Sequence, residues 1–225
     1  MTAKVITVER DVLASSRVAA DEFRQRMTEE GTFVVNLVSS PGAGKTSLLV
    51  ETARRFGSRH SMAVLVGDIA TARDAERIAP FAPVVQLTTG GACHLDLPLV
   101  ERGWNRLEQK HYDFVFIENV GNLVCPASHE LGEHLRVVLL STPEGDDKPG
   151  KYPKMFRTSQ ALVVTKFDLL PYLPFSVEAA VADALSIQPA LHTFATSAIT
   201  GEGIERWCEF LSVVRRRMLL DAEAN

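Results

Sequence analysis

Long apolar runs are scarce in this sequence of 225 residues. None approaches the about 18 consecutive apolar residues that a membrane-spanning helix requires. Residues 1–21 also lack the apolar segment of a secretory signal. We therefore expect a protein that does not associate with a membrane and that works in the cytoplasm.

An excess of positive charge is absent as well. The formal net charge is −4, which offers no electrostatic basis for binding nucleic acid. The one basic cluster, Arg215 to Arg217, falls on a predicted late helix and is interpreted as a solvated helix face. Nucleic acid is not an expected partner.

Cysteine is rare, with three residues in the chain, and this number excludes a disulfide framework. Cys208 lies between Trp207 and Leu211 on the predicted last helix, where a buried core position is expected. Cys93 stands beside His94, and in a reducing compartment that pairing indicates metal binding or catalysis.

Strand and helix patterns alternate along the whole chain, and the hydrophobic content of 46% is ample for a core. The sequence predicts an α/β fold with a doubly wound, mostly parallel sheet flanked by helices, and residues 1–225 are expected to form a single domain. An N-terminal amphipathic helix is predicted at about 9–29. Its apolar face carries four residues: Val12, Ala19, Phe23 and Met27.

Residues 39–47 read as a phosphate-binding loop between a strand and a helix. Gly42 and Gly44 allow backbone N–H groups to point at phosphate oxygens, to which the helix N-terminus adds its positive end. Lys45 is expected to neutralise the β- and γ-phosphates and Thr46 to bind Mg²⁺. Ser39 replaces the first glycine of the usual pattern. The predicted loop contacts to the nucleotide come from six residues: Gly42, Ala43, Gly44, Lys45, Thr46 and Ser47.

Two strands end in acids, at the sheet edge where α/β proteins bind ligands. Asp68 is a candidate for Mg²⁺ binding or for orienting the attacking water. Glu118 is expected to hold Mg²⁺, and the Gly121 N–H to sense the γ-phosphate. Asp74 has two open interpretations, an Mg²⁺ ligand or the cap of the following helix. Lys45, Asp68 and Glu118 are the predicted catalytic residues.

The segment 165–168 resembles the N-K-x-D motif by which GTPases read the base. Asp168 would accept two hydrogen bonds from guanine, which adenine cannot donate, so the expected nucleotides are GTP and GDP. Thr165 replaces the asparagine and removes its amide donors. Lys166 is expected to stack on the base, and Ser197 with Ala198 resembles a further base-contacting motif.

Cys93, His94 and Cys125 all follow the carboxyl ends of strands, so they could converge near the nucleotide. Two thiolates and an imidazole suit Ni²⁺ or Zn²⁺. Three ligands leave such a site incomplete, and a homodimer that shares two sets would complete it. The alternative, that the two cysteines are small packed hydrophobic residues, stays open.

Other histidines are assigned no metal. The segment 129–134 resembles a zinc-protease helix motif, but its spacing is one residue out of step and Gly132 weakens the helix. Surface positions are expected for His60, His111 and His192. The polar, proline-rich segment 141–153 is predicted to be a long functional loop.

Taken together, these motifs resemble the HypB family, GTPases of the SIMIBI class that help to insert nickel into [NiFe]-hydrogenase. The resemblance extends from about residue 10 to 215. It is carried by five segments: 39–46, 67–71 with 74–75, 91–95, 118–126 and 144–149. It implies a GTP-dependent dimer with a nickel or zinc site at Cys93, His94 and Cys125. It also implies a HypA-type metallochaperone as partner, and delivery towards the hydrogenase large subunit, directly or through other accessory proteins.

The resulting hypothesis is a GTPase that couples its nucleotide state to nickel affinity. One alternative is a dimeric metal-binding scaffold in which nucleotide controls dimerisation, and another is a related GTPase that serves a different metalloenzyme. A small-molecule kinase is disfavoured because the sequence shows no lid segment and no substrate-binding arginine cluster.

Overall fold

The computed structural model of the chain describes residues 8–68, 71–109 and 111–224, with side chains in the first helix from residue 15 onward. Three parts of the sequence predictions lie outside this description: the Val12 side chain, residues 69–70 of the segment after Asp68, and Lys110 at the end of a predicted helix.

The described residues form one sheet in the order β3-β2-β4-β1-β5-β6-β7, and every strand pair is parallel. Most successive strands are separated along the chain by helices, and β4 and β5 by a 3₁₀ turn at Cys125–Ser128; parallel pairing requires crossover connections of this kind. The prediction of a doubly wound, mostly parallel α/β sheet is confirmed. The strands are β1 Phe33–Ser39, β2 Met62–Asp68, β3 Val84–Thr88, β4 Phe114–Glu118, β5 Leu135–Ser141, β6 Ala161–Thr165 and β7 His192–Ala195.

Helices cover both faces of the sheet. Successive β1 residues point to opposite faces, so Val35 packs with the helices on one side and Val34 with those on the other. The helices are α1 Val8–Glu29, α2 Lys45–Phe56, α3 Arg73–Ile78, α4 Leu97–Trp104, α5 Lys148–Lys151, α6 Pro153–Arg157, α7 Val177–Ile187 and α8 Ile204–Glu223.

The register of the central strands determines where the functional residues meet. Leu37 of β1 pairs with Glu118 of β4, and Val66 of β2 pairs with Glu118 from the other side. The phosphate loop leaves β1 just beyond this level, and Asp68 ends β2. The carboxyl ends of three adjacent strands therefore converge at one edge of the sheet.

The sequence predicts a helix over residues 95–110, whereas α4 spans only Leu97–Trp104. Asp96 caps it by accepting a hydrogen bond of 2.9 Å from the Leu99 N–H, so the helix begins at Leu97. The segment predicted as a loop, 141–153, also contains regular structure, a 3₁₀ turn at Thr142–Glu144 and the short helix α5. The Ser141 and Glu144 side chains form a capping box that stabilises this turn.

Three predictions about which side chains are exposed and which are buried need correction. Arg215 is not a solvated residue, because its guanidinium lies 2.6 Å from a carboxylate oxygen of Asp113 and is largely covered. His60 is half-buried against Phe56 and Phe114, whereas His111 and His192 are exposed as predicted. On α1 the inward residue is Ala20, not Ala19.

In the described part of the chain, no helix combines the length and the apolar character needed to cross a membrane.

Candidate functional site

The phosphate loop has the backbone conformation that its glycines predict. Gly42 and Gly44 have φ angles of 72° and 95°, a left-handed region that favours glycine. Lys45 is buried, and its ammonium donates a hydrogen bond of 3.0 Å to the Ser39 hydroxyl. Burial lowers the Lys45 pKa, and the nearby Glu118 carboxylate opposes that shift. The serine that replaces the first glycine thus holds the loop lysine.

Thr46 brings two acids together. Its hydroxyl lies 2.8 Å from Glu118 Oε1 and 2.9 Å from Asp74 Oδ1. Asp74 does not cap α3, because the residue at the N-cap position is Ala72. The capping interpretation of Asp74 is therefore wrong, and its carboxylate faces the phosphate loop instead.

Glu118 has a buried oxygen, Oε2, for which the structure describes no hydrogen-bond partner. Burial raises the Glu118 pKa to about 7, although Lys45 and Thr46 favour the charged form. An unpaired buried carboxylate oxygen is costly. A hydroxyl and two carboxylates are hard oxygen donors of the kind that Mg²⁺ prefers, so these residues fit a magnesium ion.

A cavity of about 400 Å³ opens over the phosphate loop, Asp68 and Glu118. Asp68 Oδ2 accepts hydrogen bonds of 3.2 Å from the Thr71 N–H and 2.5 Å from the Thr71 hydroxyl. Gly121 also lines this cavity. A Cβ on Gly121 would lie 2.8 Å from Pro41 Cα, so only glycine allows the two segments to pack this closely.

The base motif is organised around Asp168. The buried Ser197 hydroxyl donates a hydrogen bond of 2.6 Å to Asp168 Oδ1, so Ser197 orients the aspartate. Ala198 beside it is half-buried. Lys166 lines the phosphate cavity and adopts a left-handed backbone with φ 57°. The Thr142 hydroxyl donates a hydrogen bond of 2.9 Å to the Lys166 carbonyl oxygen.

Thr165 contacts the phosphate loop. Its buried hydroxyl donates a hydrogen bond of 2.6 Å to the Ala43 carbonyl oxygen. The sequence suggested that this residue is chiefly a weakened base contact. Its observed role is to join the end of β6 to the loop, a relationship that its position in the motif does not disclose.

Cys93, His94 and Cys125 form one cluster, with ligand atoms all within 4.8 Å of one another. The two sulfur atoms lie 2.7 Å apart, and Cys93 Sγ lies 3.8 Å from His94 Nδ1. All three side chains are half-buried. Two half-buried thiols that meet beside an imidazole do not match the alternative of separately packed hydrophobic residues. Cys208, by contrast, is buried as predicted, and burial raises its pKa to about 12.

The pKa values of the thiol and the imidazole in this cluster shift in opposite directions. The hydrogen bond to Cys125 raises the Cys93 pKa, so this thiol would release a proton on binding a metal as thiolate. Burial lowers the His94 pKa, and the neighbouring His129 lowers it further. A neutral imidazole is the form that binds a metal.

Three residues beside the cluster were missed from the sequence. The Asn119 side chain accepts a hydrogen bond of 3.3 Å from the Leu95 N–H, and the Asn122 amide donates one of 3.3 Å to the Cys93 carbonyl. The third residue, His129, stacks on His94 with ring centroids 3.9 Å apart. His129 follows Cys125 by four residues, and this short separation could have indicated a position near the cluster. The sequence prediction compared 129–134 only with the zinc-protease motif and so gave His129 no role.

The segment 129–134 is not a helix, and Gly132 adopts a φ of 72°. His134 has a structural role: Nδ1 accepts from the Val34 N–H at 2.9 Å, and Nε2 lies 2.9 Å from the Thr28 hydroxyl. Burial, with a smaller contribution from Arg24, lowers its pKa to about 4.

Comparison with known proteins gives concordant matches. Residues 33–195 match the family described as CobW/HypB/UreG, nucleotide-binding domain. The chain is 45% identical over 215 residues to the hydrogenase maturation factor HypB of Rhizobium leguminosarum bv. viciae, covering 95% of this chain and 72% of that protein. It is 41% identical over 217 residues to the hydrogenase/urease maturation factor HypB of Helicobacter hepaticus, covering 94% and 89%.

A solved structure has the same architecture. The crystal structure of HypB from Helicobacter pylori in complex with nickel superposes with a TM-score of 0.86 at 37% identity, covering 90% of this chain and 96% of that one.

Proposed function

Because this chain belongs to the HypB family of hydrogenase maturation factors, we propose that it is a GTP-hydrolysing metallochaperone whose nucleotide state controls its affinity for nickel. In this proposal nickel is cargo, held by Cys93, His94 and Cys125, and GTP is the substrate of the phosphate cavity.

One observation carries the proposal: a single short segment joins the two sites. Glu118 ends β4 in contact with Thr46, Gly121 packs on Pro41 of the phosphate loop, and Cys125 reaches the thiol cluster. A movement of the phosphate loop against Gly121 would therefore reach a cargo ligand through a few peptide units.

Thr46, Asp74 and Glu118 would hold the magnesium ion of the nucleotide, which when bound supplies positive charge against the β- and γ-phosphates. Glu118 Oε2, unpaired among the described residues, would gain a partner on binding. Lys45 would exchange the Ser39 hydroxyl for phosphate oxygens, and the backbone N–H groups from Gly42 to Lys45 would surround them.

The reaction assigned to this cavity is transfer of the γ-phosphoryl group to water. Asp68 lines the cavity at the end of β2 and would orient that water, since a positioned nucleophile supplies much of the rate in such reactions. The Gly121 N–H would bond to the γ-phosphate before cleavage and lose that partner afterwards.

Guanine recognition is proposed for Asp168, which Ser197 holds in one orientation by a hydrogen bond of 2.6 Å. A preoriented carboxylate accepts two hydrogen bonds from guanine at small entropic cost. Thr165 and Lys166 connect this motif to the phosphate loop and its cavity.

The three cargo ligands form an incomplete coordination set, and we propose that a homodimer brings two sets together. A HypA-type metallochaperone would supply nickel, and the hydrogenase large subunit, directly or through other accessory proteins, would receive it. The Helicobacter hepaticus relative is named for urease as well as hydrogenase, so a second nickel enzyme is the alternative client.

Equilibrium dialysis of Ni²⁺ against the full-length protein, with GDP or with a non-hydrolysable GTP analogue, tests the coupling. We expect the two affinities to differ about 5-fold or more, the lower end of typical allosteric coupling. Cys93→Ala and Cys125→Ala should lose nickel in both states, whereas Cys208→Ala, which removes a buried thiol, should not. Equal affinities with both nucleotides, together with a dimer that needs metal but not nucleotide, would support the scaffold alternative instead.

A further inference from the structure

His129 lies beside the cargo cluster without belonging to it. Its ring stacks on the ring of His94 with a centroid separation of 3.9 Å and an interplanar angle of 23°. Its Nδ1 lies 2.9 Å from the main-chain carbonyl oxygen of Cys125. One side chain therefore touches two cargo ligands that come from different loops.

The hydrogen bond determines which ring nitrogen of His129 must carry a proton. A carbonyl oxygen can only accept, so Nδ1 must carry the proton and donate it to the Cys125 carbonyl. The imidazole plane is then set by the Cys125 loop, and the ring of His94 rests against that plane.

The main chain of His129 is also held by a hydrogen bond. Its carbonyl oxygen accepts a hydrogen bond of 2.7 Å from Arg136. Arg136 is buried and forms an ion pair of 2.7 Å with Glu133. Glu133 also accepts hydrogen bonds from the Asn36 side chain at 3.1 Å and the Leu131 N–H at 2.7 Å. The buried charges are paired and hydrogen-bonded, so this network connects the His129 main chain to Asn36 of β1.

We propose that His129 is a positioning residue of the cargo site, which holds the His94 imidazole and the Cys125 loop in the arrangement that nickel requires. The inference rests on the proposed function, because it takes Cys93, His94 and Cys125 as the cargo ligands. It adds that the two ligand loops of one subunit are held together before the metal arrives. Residues of this kind contribute by reducing the freedom of the ligands.

The test measures Ni²⁺ binding by the full-length protein, with the thiolate-to-nickel charge-transfer absorption as the spectroscopic readout. His129→Ala should weaken Ni²⁺ binding about 10-fold, within the usual range for partners of metal ligands, and should shift the charge-transfer band. His129→Phe keeps an aromatic ring against His94 but has no N–H donor, so its affinity should lie between those of His129→Ala and the unmodified protein.

His111→Ala is the matched control. This exposed histidine precedes β4 and so lies at the opposite edge of the sheet from the cluster, and the variant should bind nickel as the unmodified protein does. Thermal unfolding of each variant checks that an affinity loss does not reflect loss of the fold.

The outcomes separate this inference from the proposed function. If nickel binding by the unmodified protein shows no thiolate band, or persists in Cys93→Ala and Cys125→Ala, the cargo site itself is wrong. If that band is present but His129→Ala retains full affinity and an unshifted band, the positioning role is overturned. A His129→Phe variant as weak as His129→Ala would overturn the role of ring stacking.

Discussion

The hydroxyl of Thr165 donates a hydrogen bond of 2.6 Å to the carbonyl oxygen of Ala43, so the base motif and the phosphate loop are directly joined. Both groups are buried. Loss of this hydrogen bond at the base motif should therefore affect nucleotide binding by the phosphate loop.

Thr165→Val keeps the shape of the side chain but leaves the Ala43 carbonyl without its donor. An unsatisfied buried acceptor costs about 1–3 kcal/mol, and we expect GDP affinity to fall about 10-fold, measured by calorimetric titration. Thr165→Ser, which keeps the hydroxyl, should retain most of the affinity. Loss of affinity in both variants to the same extent would contradict the role of this hydrogen bond.

The preference for guanine should depend on Asp168 and not on Thr165. Asp168→Asn replaces one acceptor oxygen by a donor, and we expect the ratio of GTP to ATP affinity to fall by about 10² or more. In Thr165→Val the ratio should stay unchanged even though both affinities fall. Competition binding with the two nucleotides measures both ratios, and a preference that survives in Asp168→Asn would place base recognition elsewhere.

Glu118 and Asp74 should contribute unequally to magnesium-dependent hydrolysis. Glu118 is 3% exposed and has an unpaired oxygen within the described structure, whereas the Asp74 side chain is 39% exposed and pairs with Arg77. Glu118→Gln should lower GTP hydrolysis by about 10²-fold, and Asp74→Asn by less, since water screens an exposed charge. Phosphate release assayed across a Mg²⁺ titration distinguishes the two, and equal losses would reject the ranking.

Gly121→Ala should weaken the link between the two sites. The added methyl group would meet the Pro41 backbone at 2.8 Å, and overpacking of this kind costs about 1–3 kcal/mol. We expect weaker binding of the GTP analogue and a smaller difference in Ni²⁺ affinity between the nucleotide states. Gly150→Ala is the control, because there the nearest atom to the new methyl is the flexible carboxylate of Asp183.

His134 should make stability depend on pH. Its folded pKa of about 4 lies below the ordinary histidine value of 6.5, so the unfolded chain binds more protons between these values and stability falls as pH decreases through this range. From pH 7.5 to pH 5 the loss from this residue is about 2 kcal/mol. Urea unfolding at both pH values should show a smaller loss in His134→Gln, and the difference between the two proteins removes the contribution of His60, whose pKa burial also lowers. An equal loss in both would show that His134 does not cause it.

The fold was predictable because its signals are local. The short apolar runs became β1 to β7, and the rule that parallel strands end at one edge correctly brought Asp68, Glu118 and the phosphate loop together. The turn after β5 was missed even though its capping box, Ser141 with Glu144, is a local pattern, because the polar composition of the segment favoured a loop.

The contacts that could not be predicted from the sequence join residues that are far apart in the chain. The bond from Thr165 to Ala43 joins residues whose separation along the chain is 122. Arg215 was predicted to be solvated, because the sequence does not show that Asp113, just before β4, lies beside it. His129 needed both the path of its loop and the position of His94, and neither follows from spacing.

The pairing of β4 has a mechanical consequence. Glu118 is in register with Leu37 on one side and Val66 on the other, so the end of this strand is held by a neighbour on each side and, in the proposed coupling, would stay fixed. The peptide that continues through Gly121 to Cys125 is then a short lever arm. A displacement of the phosphate loop against Gly121 would therefore reorient the segment from Gly121 to Cys125 without deforming the sheet.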